Sequence, residues 1–437
     1  MYIFIEHSVA GTFPPISSAA CELQIEKTMR YFPFVFLLFA FASCQEIIDA
    51  PVPNLAWSEF DAPGAKPLSA AERKALEGIY AISIADDDFG KEAALKWSYV
   101  ADSSDTTHYL SFFCREDVRY FICQAKKRNG KILLNGYWRN VENTKTGKAH
   151  FTLDANSGDS LLLQGAYGLF DDEPEKGINF RYARPLNTAK PYLLIAHRGG
   201  GRNNDLLPAS ENSVEMIRLA SQLGANGIEI DVQLTKDGVP VLFHDANVND
   251  RLTTKTGIHG AIDSYTWPEL QQEVNLKRGG KIPSLKEALD AVLTQTPLQF
   301  VWLDCKYETV IPSVRKLQEE ILEKAKAAGR ELNIVIGIPD EDILKRFVQL
   351  PGYQNIPSLC ELDTAKASLA DADFWAPSWT KGHEDEAVSA VQATGKKSLV
   401  WTVDIPDKIK EFMYEAKFNG IVTNRPTMAA YYYYARP

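Results

Sequence analysis

The chain of 437 residues is short of cysteine, of basic clusters and of long apolar runs. Its 6 cysteines have no paired spacing that would suggest a zinc site, and they are too few for a disulfide scaffold. No basic run exceeds Lys126-Lys127-Arg128, and 47 Lys+Arg against 57 Asp+Glu leave a net charge of −10, so the electrostatic footprint of a nucleic-acid binder is missing. The longest uninterrupted apolar run, Tyr31 to Ala42, has 12 residues. A membrane-spanning helix needs about 20. What is present is a composition near the globular average, 45% hydrophobic and 24% charged, which excludes a mainly disordered or collagenous chain. The length suggests two or three domains. With this charge balance, binding an anion requires locally placed positive groups or a metal.

Lys27 and Arg30 precede the apolar run, which ends in Phe41-Ala42-Ser43-Cys44. This resembles a bacterial lipoprotein signal, with Met29 as its natural start and residues 1–28 as an upstream extension. The expectation is that residues 1–43 are removed and Cys44 is lipidated, anchoring the protein on the periplasmic side of the envelope. Residues 44–67 carry Pro51, Pro53, Pro63 and Pro67 and read as an extended tether. From 68 to 188 short alternating runs separated by Asn129-Gly130 and Asn156-Ser157-Gly158 predict an all-β domain, a sandwich or small barrel. Tyr137, Trp138 and Tyr167 are read as core rather than as a ligand groove. Cys114 and Cys123 could bridge a hairpin, but buried thiols are the expectation.

From Tyr192 strand-like runs alternate with helical spacings such as Met216, Leu219, Ala220 and Leu223. Repeated β-then-α units over 189–437 predict an α/β TIM (β/α)8 barrel. Nine strand candidates compete for eight places, so one of 357–362 or 373–377 is expected outside the barrel.

Active sites of such barrels form where strands end. The first strand ends in His197-Arg198-Gly199-Gly200-Gly201, a proton-transfer group and a cation beside glycines that admit a ligand. In Gly227-Ile-Glu-Ile-Asp-Val-Gln-Leu234, alternation turns Glu229, Asp231 and Gln233 inward. Two stacked carboxylates repel strongly unless a cation or proton lies between them. A third strand, 239–243, ends in His244-Asp245. A fourth, 300–303, ends in Asp304-Cys305-Lys306, with Trp302, Asp304 and Lys306 sharing one face. All-oxygen ligation by Glu229, Asp231 and Asp304 favours Mg²⁺ or Ca²⁺. Trp302 and Trp401 offer apolar walls. His108, His150, His259 and His383 are read as structural or surface residues.

His197-Arg198-Gly199, Glu211-Asn212, the run Gly227 to Asp245, Arg251, Ile282-Pro-Ser-Leu285, Trp401-Thr-Val-Asp404 and Gly420-Ile-Val-Thr-Asn-Arg-Pro426 resemble the glycerophosphodiester phosphodiesterase family over about 192–437. The resemblance implies a TIM barrel that cleaves a small phosphodiester with one divalent metal. It also implies His197 and His244 as the acid–base pair, Glu229 and Asp231 as ligands, and Arg198 and Lys306 on the phosphate. Asp304 stands where the family has Glu. Asn424 replaces an Asp and is read as a packing residue, while Asn212 is read as a helix cap paired with Glu215. The competing readings are a phosphodiesterase or lyase acting on inositol or sphingolipid phosphodiesters, and a catalytically weak binder of envelope glycans or lipids.

Overall fold

The computed structural model describes residues 51–114, 119–154, 161–254 and 256–436. The segment expected to be a signal, Cys44 and the turn expected at Asn156-Ser157-Gly158 lie outside them. Among the described residues no helix is long and apolar enough to cross a membrane.

Eight antiparallel strands form the first half: β1 (Gly78–Ser83), β2 (Glu92–Ala101), β3 (Thr106–Cys114), β4 (Arg119–Arg128), β5 (Lys131–Asn140), β6 (Thr146–Asp154), β7 (Leu162–Tyr167) and β8 (Lys176–Arg184). Each pairs with the next, and β1 pairs with β8, so the sheet closes as an up-and-down barrel. Asn129 and Gly130 both have positive φ, as the tight β4–β5 hairpin requires. Inward positions are filled: Phe112, Phe121, Phe151 and Phe180 pack ring against ring. Trp138 and Tyr167 belong to this core, with the Trp138 indole donating to the Gly168 carbonyl. Cys114 and Cys123 are buried thiols; β3 and β4 set Leu110, not Cys114, opposite Cys123.

The outward face of the small barrel is also apolar where a second barrel covers it. Tyr120, Ile122 and Tyr137 pack on Leu207, Ala209, Met216 and Leu219, and Phe113 joins the cluster around Ala430 and Tyr431.

Residues 51–67, expected as a tether, are instead a strap bound along the small barrel. Backbone carbonyls hold it: Arg139 donates to Pro51, Asn135 to Leu55 and Lys126 to Phe60. Trp57 stacks on His150 with centroids 4.2 Å apart, and Lys66–Pro67 add a short rung to β4.

The second barrel uses β9 (Leu193–Ala196), β10 (Gly227–Leu234), β11 (Pro240–Leu242), β12 (Phe300–Cys305), β13 (Asn333–Ile338), β14 (Ser358–Cys360), β15 (Phe374–Trp375), β16 (Lys397–Val400) and β17 (Gly420–Thr423). All but β11 are parallel and close in chain order, β17 pairing with β9. Both doubtful candidates, 357–362 and 373–377, therefore supply barrel strands, and the surplus strand is 240–242. It runs antiparallel to β10 because only Thr235–Val239 separates the two, a hairpin link far short of the dozen or so residues that a parallel crossover needs. Ile228, Ile230 and Val232 face the helices, and Ile195, Trp302, Leu359 and Val422 belong to the core inside the barrel.

Arg139 links the two barrels and the strap. It is fully buried, and besides Pro51 it donates to the Leu206 carbonyl at 2.6 Å. Arg139→Ala removes the donor from two part-buried carbonyls and leaves a void where a fully buried side chain stood, and should lower stability by about 2–4 kcal/mol in urea unfolding.

Candidate functional site

The barrel register creates the carboxylate cluster. β10 and β12 set Asp231 beside Asp304 and Glu229 beside Trp302. Ligand-capable oxygens of Glu229, Asp231 and Asp304 lie within 4.8 Å of one another. Glu229 Oε2 accepts from the Arg198 backbone at 2.8 Å, but its buried Oε1 has no hydrogen-bond partner. Burial, then repulsion from Asp231 and Asp304, pushes the Glu229 carboxyl well above its ordinary range. Burial and Asp231 likewise raise Asp304, against the opposing pull of Lys306. Burial alone would raise Asp231 too, but Lys306, His244 and Arg198 outweigh it and bring it down to about 2. Lys306 Nζ sits 2.6 Å from Asp231 and also pairs with Asp304. An orphaned buried carboxylate oxygen among three oxygen donors fits a hard divalent cation.

The two histidines approach this cluster with different partners. His197 opens a tight turn in which Arg198 has φ +52° and Gly199 φ +84°. Its Nδ1 is 2.9 Å from Asn424 Oδ1. The Asn424 amide is oriented by Asp404, which accepts from its Nδ2 and its backbone N–H. His197 Nδ1 therefore carries the hydrogen, and Nε2 is left bare 3.7 Å from Glu229. Burial, then the Arg198 charge, lowers the His197 pKa to about 4. Asn424, expected to serve packing, is thus a hydrogen-bond partner of the predicted catalytic histidine. His244 Nδ1 instead lies 2.7 Å from a carboxylate, Asp245. Burial opposes ionisation of Asp245, but hydrogen bonds from Arg251 and His244 hold its carboxyl well below the usual range. Gln233, the third inward residue of β10, donates to the Phe243 and Asp245 carbonyls and so fixes the His244 segment.

Arg198 is aimed by Glu211, 2.7 Å from its Nη1, and Glu211 also pairs with Arg251. Asn212 does not cap the following helix. Ser213 does, its side chain accepting from Met216, while Asn212, at φ +57°, donates to Asp231 Oδ2 and accepts from the Asp231 backbone. The cap reading failed because Ser213 stands one position nearer the helix.

His197, Arg198, Glu229, Asp231, His244, Trp302, Asp304, Lys306 and Trp401 all line one cavity of about 350 Å³. Trp302 fits because Gly337 on β13 lacks a side chain; a Cβ there would meet the indole at 2.6 Å. Sequence reasoning missed Glu361, just past β14, and Thr402, which complete the lining. The doubtful strand assignment of 357–362 hid Glu361. Burial, then Asp304, raises the Glu361 carboxyl well above its ordinary range.

Positive side chains and clustered carboxylates facing one cavity at the strand ends of a β/α barrel define an enzyme of the TIM-barrel class. The chain belongs to the glycerophosphoryl diester phosphodiesterase family, whose model matches residues 197–428, and it is a phosphoric diester hydrolase. Relatives include a glycerophosphodiester phosphodiesterase of Caldanaerobacter subterraneus, 27% identical over 54% of this chain and 94% of its own. A probable glycerophosphodiester phosphodiesterase 2 of Mycobacterium tuberculosis is 29% identical over 53% of this chain and 87% of its own. A crystal structure of a Parabacteroides distasonis glycerophosphodiester phosphodiesterase aligns over 55% of this chain and 95% of its own, at 24% identity and a TM-score of 0.44.

The depressed His197 pKa has a measurable consequence. An unfolded imidazole protonates near pH 6.5, whereas the folded one stays neutral to about pH 4. The unfolded state therefore binds the extra proton, and stability falls as pH drops through this window. Metal-free wild type should lose on the order of 3 kcal/mol relative to His197→Asn between pH 7 and pH 4, read by urea unfolding at each pH.

Proposed function

We propose that the protein hydrolyses glycerophosphodiesters to an alcohol and glycerol phosphate, with His197 and His244 as its acid–base pair. The observation that carries this reading is the unequal pairing of the two histidines across the carboxylate cluster. His197 hydrogen-bonds a neutral amide and lies beside Arg198, so its bare Nε2 suits a general base. His244 is backed by the Asp245 carboxylate, which orients its ring through Nδ1 and leaves Nε2 to face the cavity as the general acid.

Arg198 and Lys306 take the phosphoryl oxygens, and Trp302 and Trp401 flank the alcohol. His197 Nε2 removes a proton from water as its oxygen bonds to phosphorus. The bond from phosphorus to the alcohol oxygen breaks, and His244 delivers the proton to that oxygen. A divalent cation, Mg²⁺ or Ca²⁺, held by Glu229, Asp231 and Asp304, supplies charge neutralisation for a phosphoryl oxygen. The shorter Asp304 still brings an oxygen into the cluster, which supports a working site. Export and anchoring through Cys44 belong to the same proposal, supported by Lys27, Arg30 and the apolar run that follows.

A panel of glycerophosphodiesters assayed with Mg²⁺, Ca²⁺ and EDTA tests the reading. Alcohol release should stop in EDTA and return with one of the metals, and His197→Ala should lower kcat about 10²–10⁴-fold. Turnover undiminished by EDTA, or by the substitution, would sink the mechanism.

A further inference from the structure

We propose that the catalytic face of the large barrel and the adjoining end of the small barrel form one surface that docks on a zwitterionic lipid bilayer. This goes beyond the proposed hydrolysis and rests on the proposed anchoring at Cys44.

The exposed large apolar side chains of the described residues are unevenly placed. Six of them, Val52, Ile84, Leu169, Phe170, Tyr307 and Ile405, with Ile84 70% and Phe170 52% exposed, stand at strand ends and on the strap. Tyr307 follows Lys306 past the end of β12, and Ile405 follows Asp404 past the end of β16, so both stand on loops at the catalytic mouth. Ile84 follows β1, and Leu169 and Phe170 lie between β7 and β8, at the end of the small barrel that also carries the β5–β6 loop. Glu142 of that loop meets Arg425, just past β17, at 3.2 Å, which sets this end level with the catalytic face. The other end meets the opposite face, where the Tyr99 hydroxyl donates to the Thr296 carbonyl ahead of β12. The two remaining exposed apolar residues, Leu369 and Tyr414, close helices that run back toward that opposite face.

The path of the chain identifies the occupant. The strap begins at Pro51, whose carbonyl is held by Arg139 at the catalytic-face end, and from there it runs away to β4. Cys44 lies seven residues before Pro51, so a lipid on it is within about 25 Å of this face even when the link is fully extended. Such an anchor draws the catalytic side, and not the opposite one, to the bilayer. Charge narrows the choice of surface. Asp171, Asp172, Glu173 and Glu175 follow Phe170, so an anionic surface is repelled, while neutral headgroups accept the apolar side chains without that opposition.

The test uses the full chain on phosphatidylcholine vesicles containing spin-labelled lipid. An environment-sensitive fluorophore is placed in turn on Phe170→Cys, Ile405→Cys and Leu369→Cys. Quenching should be at least threefold stronger at positions 170 and 405 than at 369, and raising the salt should leave it unchanged. Adding Phe170→Asp to the Ile405→Cys chain should remove most of the quenching at 405. Equal quenching at all three positions, labels at 170 and 405 that stay in water, or a chain that does not associate with the vesicles overturns the proposal; water-exposed labels leave the patch to a basic protein partner. Hydrolysis of soluble glycerophosphocholine, measured on the same samples, reports separately on the catalytic reading, because neither Phe170 nor Ile405 lines the cavity.

Discussion

Three carboxylates held within 4.8 Å inside a barrel repel one another, and much of the surrounding structure serves to bear that repulsion. Lys306 spans Asp231 and Asp304, and Arg198 lies over Asp231 with its own guanidinium aimed by Glu211. Asn212 clamps Asp231 from two sides, so the acid cannot swing away from its neighbours. A site strained this way gains when a cation enters, because the binding free energy includes the repulsion it relieves. The frame that resists the strain is the closed ring of eight strands, whose interior is packed with Phe300, Leu359, Phe374 and Val422.

The cavity was legible in the sequence because it depends on short-range rules. Period-two alternation put Glu229, Asp231, Asp304 and Lys306 inward, and the strand-end rule placed His197 and Arg198 beside them. The short link between β10 and β11 is equally readable, since no crossover fits into Thr235–Val239. Long-range partners were beyond reach. Asn212 and Asn424 find Asp231 and His197 across sequence separations of 19 and 227, which close only once the chain between them has folded. The strap misled for a related reason: its own backbone carbonyls, not its side chains, make many of the holding contacts.

The small barrel has a packed interior rather than a pocket. Its interior is occupied by phenylalanine rings, and its outward aromatic residues are used against the large barrel. Tyr109 and Ile122 are at least partly covered although their strands alternate, because a neighbour lies on the face that an isolated barrel would show to water.

The segment Arg202–Ala209 shows what that covering does. In a free-standing β/α barrel the first βα loop is among those open to change. Here Leu206 is tied to Arg139, Leu207 is packed beneath Tyr137 and Asn203 is bonded to Glu211. Variation in this loop is thereby paid for in the joint between the barrels.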